Sequence, residues 1–530
     1  MKRTFRPLYL SLAMAFALAS CGSQKMISTP VENIDNLPLK TTPIAENDLK
    51  RWSHLDLVND TLPGMSVDKA YKELLKGKKG QKVIVGIVDS GVDINHEDLK
   101  AVVWTNPKEI AGNGIDDDKN GYIDDVHGWN FLGNAVHEQL EMTRIVKKGP
   151  GTPDYDKAKA ELEEELKGIQ PQKQQLDYIL NAEKALVGYF KKSDFTLEEV
   201  KAIPATETSL SQAKAVFTQV LSQSSKADFD KQIEEFKDYI YGQVNYNLNV
   251  DFDGRKIVGD NPDDLKDTKY GNNNVVGPEP KEAKHGTHVA GIVAQVRSNN
   301  KGGDGVTNNA QIMTLRAVPN GDEYDKDIAL AIRYAVDNGA KVINGSFGKY
   351  YSQHKEWVMD AIKYAESKDV LVVIAAGNES YDLDVTNKYP NDTYDGSPEF
   401  AKNVLIIGAL SPTYGSKMVA SFSNYGKNNV DIYAPGDKIY ATTPLNTYEY
   451  LQGTSMASPN VAGVATLIRS YYPSLTAVQV KQIIMESGTP LKNQVVIGED
   501  KHKANFADTS KSGRIVNAYN ALVLAAKMAK

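Results

Sequence analysis

Residues 82–93 read KVIVGIVDSGVD, a β-branched and small apolar run that stops abruptly at Asp-Ser-Gly. Polar residues do not alternate with apolar ones, so neither face of the segment is meant for water. That is the pattern of a parallel strand buried on both sides, with a polar side chain, Asp89, at its carboxyl end. The same signature returns in AQIMTLRAV (310–318), AKVINGSFG (340–348), VLVVIAAGN (370–378), KNVLIIGAL (402–410) and VDIYAPG (430–436). Between these runs, DIALAIRYAVDNG (327–339), WVMDAIKYAESKD (357–369) and SPNVAGVATLIRSYYP (458–473) carry helical periodicity. Alternation of strand and helix predicts an open, mostly parallel α/β sheet flanked by helices. Functional side chains in such sheets gather where strands end.

Three polar side chains stand at the edges of these elements. Asp89 ends a strand. His285, in AKHGTHVAGIVAQV (283–296), opens a helix. Ser455, in LQGTSMASPNVAG (451–463), opens another. Taken singly, Asp89 and Ser455 also read as helix caps, a role both residue types favour. Taken together they have the chemistry of an activated nucleophile. A serine needs a base to remove its proton, and the base needs a carboxylate to hold its tautomer and stabilise the imidazolium. A helix start also leaves the Ser455 N–H free for a developing oxyanion, and Asn378 offers a side-chain amide as a second donor. A metal site on His285 and His288 would want a glutamate after the first histidine, where Gly286 stands. His288 reads as a structural, hydrogen-bonded histidine.

The segments VDSGVD, HGTHVAG, INGSFG, AAGNES and GTSMASPNVAG, in that order, resemble the motif set of subtilisin-like serine peptidases, the subtilases. The resemblance covers about 80–135 and 250–490. It implies a subtilisin-like fold, with Asp89 as orienting carboxylate, His285 as general base and acid, Ser455 as nucleophile and Asn378 as oxyanion donor. It further implies that a peptide pairs with Ser346, Phe347 and Gly348 as an added strand. Ala375, Ala376 and Gly377 would line the pocket for the side chain before the cleaved bond. Gly345 departs from the larger residue usual there, which leaves the depth of that pocket open.

NGIDDDKNGYIDDVHGWNF (113–131) copies the first half of an EF-hand loop: Asp116, Asp118 and Asn120 alternate, and Gly121 supplies a tight turn. His127 stands where the closing glutamate belongs. The expectation is a structural Ca²⁺ held by Asp116, Asp118, Asn120, the Tyr122 carbonyl and Asp124 or Asp125. The reading opposed to it is a solvated acidic turn. Residues 249–255 and 259–264 are weaker candidates. No cofactor is expected for catalysis.

Asp89 and His285 lie 196 positions apart, where the family often has a few tens. Filling the gap, YDKAKAELEEELKGIQPQKQQLDYILNAEKALVGYF (155–190) and FDKQIEEFKDYIY (229–241) space their apolar residues at helical intervals. Pro171 and Pro204 are expected to break the stretch into separate helices. The domain reading is a signal peptide at 1–20, a tether at 21–50, a peptidase domain at 51–140 and 249–530, and a helical insertion at 141–248. No clear propeptide precedes the first core strand, so assistance in folding, or inhibition, falls to the insertion.

The first residues, MKRTFRPLYLSLAMAFALASCGSQ, combine basic residues, a short apolar run and small residues before Cys21, the single cysteine of the 530-residue chain. This is the layout of a bacterial secretory signal, and LASC resembles a lipoprotein cleavage site. A lipid on Cys21 would hold the protein in the cell envelope. Neither an aspartate nor an acidic run follows the cysteine, which favours an outer membrane and its periplasmic face. A net charge of −7, with both signs mixed, gives no nucleic-acid surface. The expected partners are protein or peptide substrates and a membrane, with the protein itself a monomer. The alternative function is a catalytically silent relative that binds peptides or acts as a scaffold.

Overall fold

The apolar runs become strands where expected. A computed structural model describes residues 43–529; the signal stretch, Cys21 and most of the expected tether lie outside the described residues. In chain order the strands are β1 Val83–Asp89, β2 Gly128–Asn130, β3 Ala310–Arg316, β4 Val342–Gly345, β5 Leu371–Ala375, β6 Val404–Leu410, β7 Ile432–Pro435, β8 Ile439–Thr443, β9 Thr447–Leu451, β10 Thr489–Pro490, β11 Gln494–Ile497, β12 His502–Asn505 and β13 Arg514–Ile515. Nine form one sheet in the order β10-β13-β7-β6-β5-β4-β1-β3-β2. Every neighbouring pair is parallel except β10 with β13 at the edge.

Period-two alternation sends side chains to two cores. Val85, Ile87, Leu371, Val373, Leu405 and Ile407 face one, and Val88, Val372, Ile374, Val404 and Ile406 face the other. Each such side chain contributes about 1.5–3 kcal/mol by leaving water, which is why an uninterrupted apolar run commits a segment to the middle of this sheet. Between β2 and β3 the stretch 141–242 forms five α-helices: α1 Glu141–Lys148, α2 Tyr155–Phe190, α3 Leu197–Ala202, α4 Ser211–Gln223 and α5 Lys226–Gly242. Then α6 Lys284–Ala294 and α9 Thr454–Tyr471 cover the first face of the sheet, while α7 Asp325–Asp337 and α8 Lys355–Ser367 cover the second.

The helical insertion holds its own apolar clusters. One joins Met142, Ile145, Leu162, Ile169, Leu176 and Ile240 to Tyr351 beside the sheet. The other, Leu186, Phe195, Val200, Phe217 and Phe229, is built from the insertion alone. Two expectations are corrected. Pro171 does not break the stretch: α2 runs through it. The ring is exposed, so the carbonyl it deprives of a donor can be hydrated, and Ile169 and Leu176 hold both sides of it in one apolar stripe. Pro204 does lie between helices, after α3. The tether, expected to reach residue 50, ends earlier, because Ile44 and Leu49 pack against the main core around a short helix, Glu46–Leu49. No helix of the described residues is long and apolar enough to cross a membrane.

Candidate active site

Asp89 is the last residue of β1 and is 1% exposed. Its Oδ1 accepts from the Ser90 N–H at 2.7 Å and from His285 Nδ1 at 2.7 Å. Donation from Nδ1 leaves Nε2 as the free, basic nitrogen of a neutral ring. Close approach of α6 makes this bond possible. A Cβ at Gly286 would stand 2.1 Å from the Gly91 carbonyl oxygen and 3.1 Å from Asp89, so only glycine lets the helix start here. The neighbouring residue ties the same turn, since Thr287 Oγ1 accepts from the Asp93 N–H at 2.9 Å. Burial works against a charge on His285, but the Asp89 carboxylate outweighs it by its charge and its hydrogen bond, and the His285 pKa is raised.

His288 behaves as the sequence suggests. Its Nε2 bonds the Glu449 carbonyl at 3.1 Å, and burial pushes its pKa down to about 3. It is a neutral histidine pinning α6 to the β8–β9 hairpin.

Ser455 lies in the first turn of α9, after Gly453, whose φ of 142° suits glycine. Its hydroxyl donates to the Ser346 carbonyl at 3.1 Å, and no hydrogen bond joins it to His285 among the described residues. Catalytic hydrogen bonds often tighten only when substrate is present. Asn378 is placed by Thr454, whose N–H and hydroxyl donate to Asn378 Oδ1 at 2.8 and 3.0 Å. A backbone N–H can only donate, so the amide oxygen is fixed there and Nδ2 is left to donate elsewhere.

Of the expected substrate edge, Ser346 follows β4 and is locked by its hydroxyl to the Ser455 carbonyl at 2.8 Å and to Ser458 Oγ at 2.9 Å. The space beside Gly345 is taken by the Phe347 ring, which a Cβ at 345 would meet at 3.1 Å. Ala375 and Ala376 are buried at the end of β5, and Gly377 (φ 104°) donates its N–H to Thr454 Oγ1 at 2.9 Å.

The acidic loop brings part of the expected ligand set together, Asp118 and Asp125, with a carboxylate from outside it. Asp116 accepts the N–H groups of Asn120 and Gly121 within its own turn. Asp124 accepts those of Gly112, Asn113 and Gly114. Tyr122 packs its ring against Trp129, Phe131 and Tyr334. Asn120 donates to Asp125 Oδ2 at 2.9 Å. The carboxylates that converge are Asp118, Asp125 and Glu109, with one oxygen of each within 4.8 Å of the others. Glu109 Oε2 is buried without a hydrogen-bond partner among the described residues. Burial raises the pKa of both Glu109 and Asp125, and the neighbouring carboxylates add to the rise. An all-oxygen donor set with an unsatisfied carboxylate oxygen suits a hard cation such as Ca²⁺. Glu109 lies upstream of the loop motif, so no spacing rule pointed to it.

Fold and site define a class: an open parallel α/β protein with a carboxylate-held imidazole and a helix-start serine at the carboxyl edge of its sheet. The model of the subtilase family matches residues 80–505, and the chain belongs to that family. It is 36% identical to the thermophilic serine proteinase of Bacillus sp. (strain AK1) over 274 residues, 51% of this chain and 58% of that protein. It is 41% identical to thermitase of Thermoactinomyces vulgaris over 187 residues, 35% of this chain and 61% of that protein. It thus spans less than two thirds of the length of these relatives. A solved structure from the proteases of Pseudoalteromonas arctica PAMC 21717 is 30% identical, with a TM-score of 0.36, over 46% of this chain and 70% of that one.

Proposed function

We propose that the protein is a serine endopeptidase that hydrolyses peptide bonds through an acyl-enzyme. The observation that carries this is the 2.7 Å bond from His285 Nδ1 to Asp89, which leaves a basic Nε2 at the sheet edge where Ser455 opens α9. In this reading His285 takes the Ser455 proton as Oγ attacks the peptide carbonyl, and Asp89 stabilises the imidazolium. The Ser455 N–H and Asn378 Nδ2 meet the oxyanion. His285 then returns the proton to the leaving amine, and water, activated the same way, frees the acyl group. The peptide lies along Ser346–Gly348.

Glu109, Asp118 and Asp125 would hold a structural Ca²⁺, whose contribution is stability rather than chemistry. The rest of the proposal is a monomer that acts on protein or peptide chains, anchored by lipid on Cys21 at the periplasmic face of an outer membrane. Replacing Cys21 with serine should move the protein from the membrane to the soluble fraction.

The decisive test is covalent labelling by a fluorophosphonate. We expect the intact protein to be labelled on Ser455, and S455A to fold and remain unlabelled. If labelling is absent both before and after limited proteolysis, the catalytically silent, peptide-binding reading stands instead.

A further inference from the structure

Four lysines are buried among the described residues, and three have carboxylate partners. Lys326 pairs with Asp260 at 2.7 Å, Lys349 with Glu141 at 2.7 Å and Asp325 at 3.1 Å, and Lys481 with Asp392 at 3.3 Å. Lys388, 3% exposed, has no ion-pair partner among the described residues; there its one hydrogen bond goes to the Phe347 carbonyl at 3.2 Å. A buried ammonium without a counter-charge is costly, and proteins seldom keep one without a use.

Its position gives the use. Tyr389 pairs with Lys349 through two backbone bonds, 2.8 and 3.0 Å, so residues 388–389 run antiparallel beside the expected substrate edge. The Lys388 side chain is thereby laid against Gly348. A Cβ on that glycine would stand 2.3 Å from Nζ, so the ammonium is in contact with the edge itself. The nearest acidic influences are Glu323 and Glu379. Glu379 is already engaged, accepting from the Tyr350 hydroxyl, from the Asn378 N–H at 2.7 Å and from Asn424 Nδ2 at 3.2 Å. Glu323 carries an unpartnered buried oxygen, and burial raises its pKa to about 7, so near neutrality it is an incomplete counter-charge. Burial lowers Lys388 to about 8, which leaves it protonated at neutral pH.

We propose that Lys388 is a specificity-determining residue that selects an acidic side chain immediately before the scissile bond. The inference rests on the peptidase reading and deepens it. A glutamate or aspartate entering between Phe347–Gly348 and Ala375–Gly377 supplies the carboxylate that the folded chain withholds from Lys388.

The test uses the full chain and peptides that differ only in that residue: Glu, Gln, Leu or Lys. Wild type should cleave the Glu peptide faster than the Gln peptide. K388M should lower kcat/KM for the Glu peptide about 30- to 100-fold, the scale of one desolvated charge pair, and leave the Gln peptide little changed. K388R should keep the preference. Labelling by a fluorophosphonate with no side chain at that position reports that each variant is folded. If K388M does not fold, the Glu-to-Gln ratio of wild type and K388R decides. Cleavage without preference for Glu, or a ratio unmoved in a folded K388M, overturns this inference alone. Failure of wild type both to label and to cleave overturns the peptidase reading with it.

Discussion

His285 Nδ1 and Asp89 Oδ1 are 2.7 Å apart although 196 positions of chain separate them, and the carboxylate raises the histidine's pKa. Since the base must be neutral to accept a proton, kcat/KM should rise with pH along a limb centred above the ordinary imidazole value of 6.5. Removing the charge in D89N should shift that limb down and cut the rate roughly 10⁴-fold, the magnitude known for loss of the carboxylate in such triads. A pH–rate profile on a peptide substrate decides it. A wild-type limb below 6.5, or one unmoved in D89N, contradicts the assignment. The sign for stability is the reverse. A raised histidine pKa stabilises the fold most fully at low pH, and that benefit fades as pH climbs through the folded value.

Asn378 is tested by its geometry as well as its loss. Thr454 holds the amide oxygen, so the free Nδ2 is the group that can meet an oxyanion. N378A should lower kcat about 10²–10³-fold with KM little altered, because the bond forms only in the transition state; that magnitude comes from subtilisin itself. T454V, which removes one of the two bonds that orient the amide, should cost less. A large change in KM with kcat preserved would make Asn378 a ground-state contact instead.

Much of this was legible because apolar runs and the alternation of strand with helix carry geometry. VIVGIVD had to be a two-faced strand, which put Asp89 at a sheet edge, and the helical runs after 283 and 454 put His285 and Ser455 at helix starts. The acidic loop was legible in part, through Asp118 and Asp125. Local spacing grouped Asp116, Asp118 and Asn120, but the loop spends Asp116 and Asp124 on its own backbone N–H groups and recruits Glu109 from outside the motif. Pro171 misled for a similar reason, since the helix penalty of one exposed proline is outweighed by an apolar stripe that runs on both sides of it. Lys388 had no signature in sequence, because what distinguishes it is a partner that is missing in space.

The convergence of Glu109, Asp118 and Asp125 predicts that Ca²⁺ raises thermal stability and that chelation lowers it. With calcium at 100 times its Kd the gain would be about 2.7 kcal/mol, read as an upward shift in Tm. Because burial and mutual repulsion raise the pKa of Glu109 and Asp125, protons compete for the site and the calcium effect should weaken as pH falls. E109Q should abolish the calcium-dependent shift, whereas D116N should largely keep it. Equal responses of the two variants would restore the loop motif as the ligand set.

The insertion has a core of its own, and this allows its role to be separated from that of the sheet. Phe217 is fully buried, with the rings of Phe195 and Phe229 each 5.3 Å away edge-on. F217A should cost the insertion about 3–5 kcal/mol through lost burial and a cavity. The sheet shares none of that cluster, so its melting should be unaffected. Asp228 and Lys231 of α5 line one open pocket of about 610 Å³ together with Lys284, next to His285, and Glu449 to Leu451, shortly before Ser455. A loosened insertion should therefore open the approach to the site without touching the catalytic groups. We expect F217A to be nicked by trypsin between 180 and 230 at temperatures where wild type resists. Turnover of a short peptide should be unchanged, and cleavage of a folded protein substrate should be faster. If peptide turnover and sheet melting fall together with the insertion, its work is to support folding of the peptidase domain rather than to limit access.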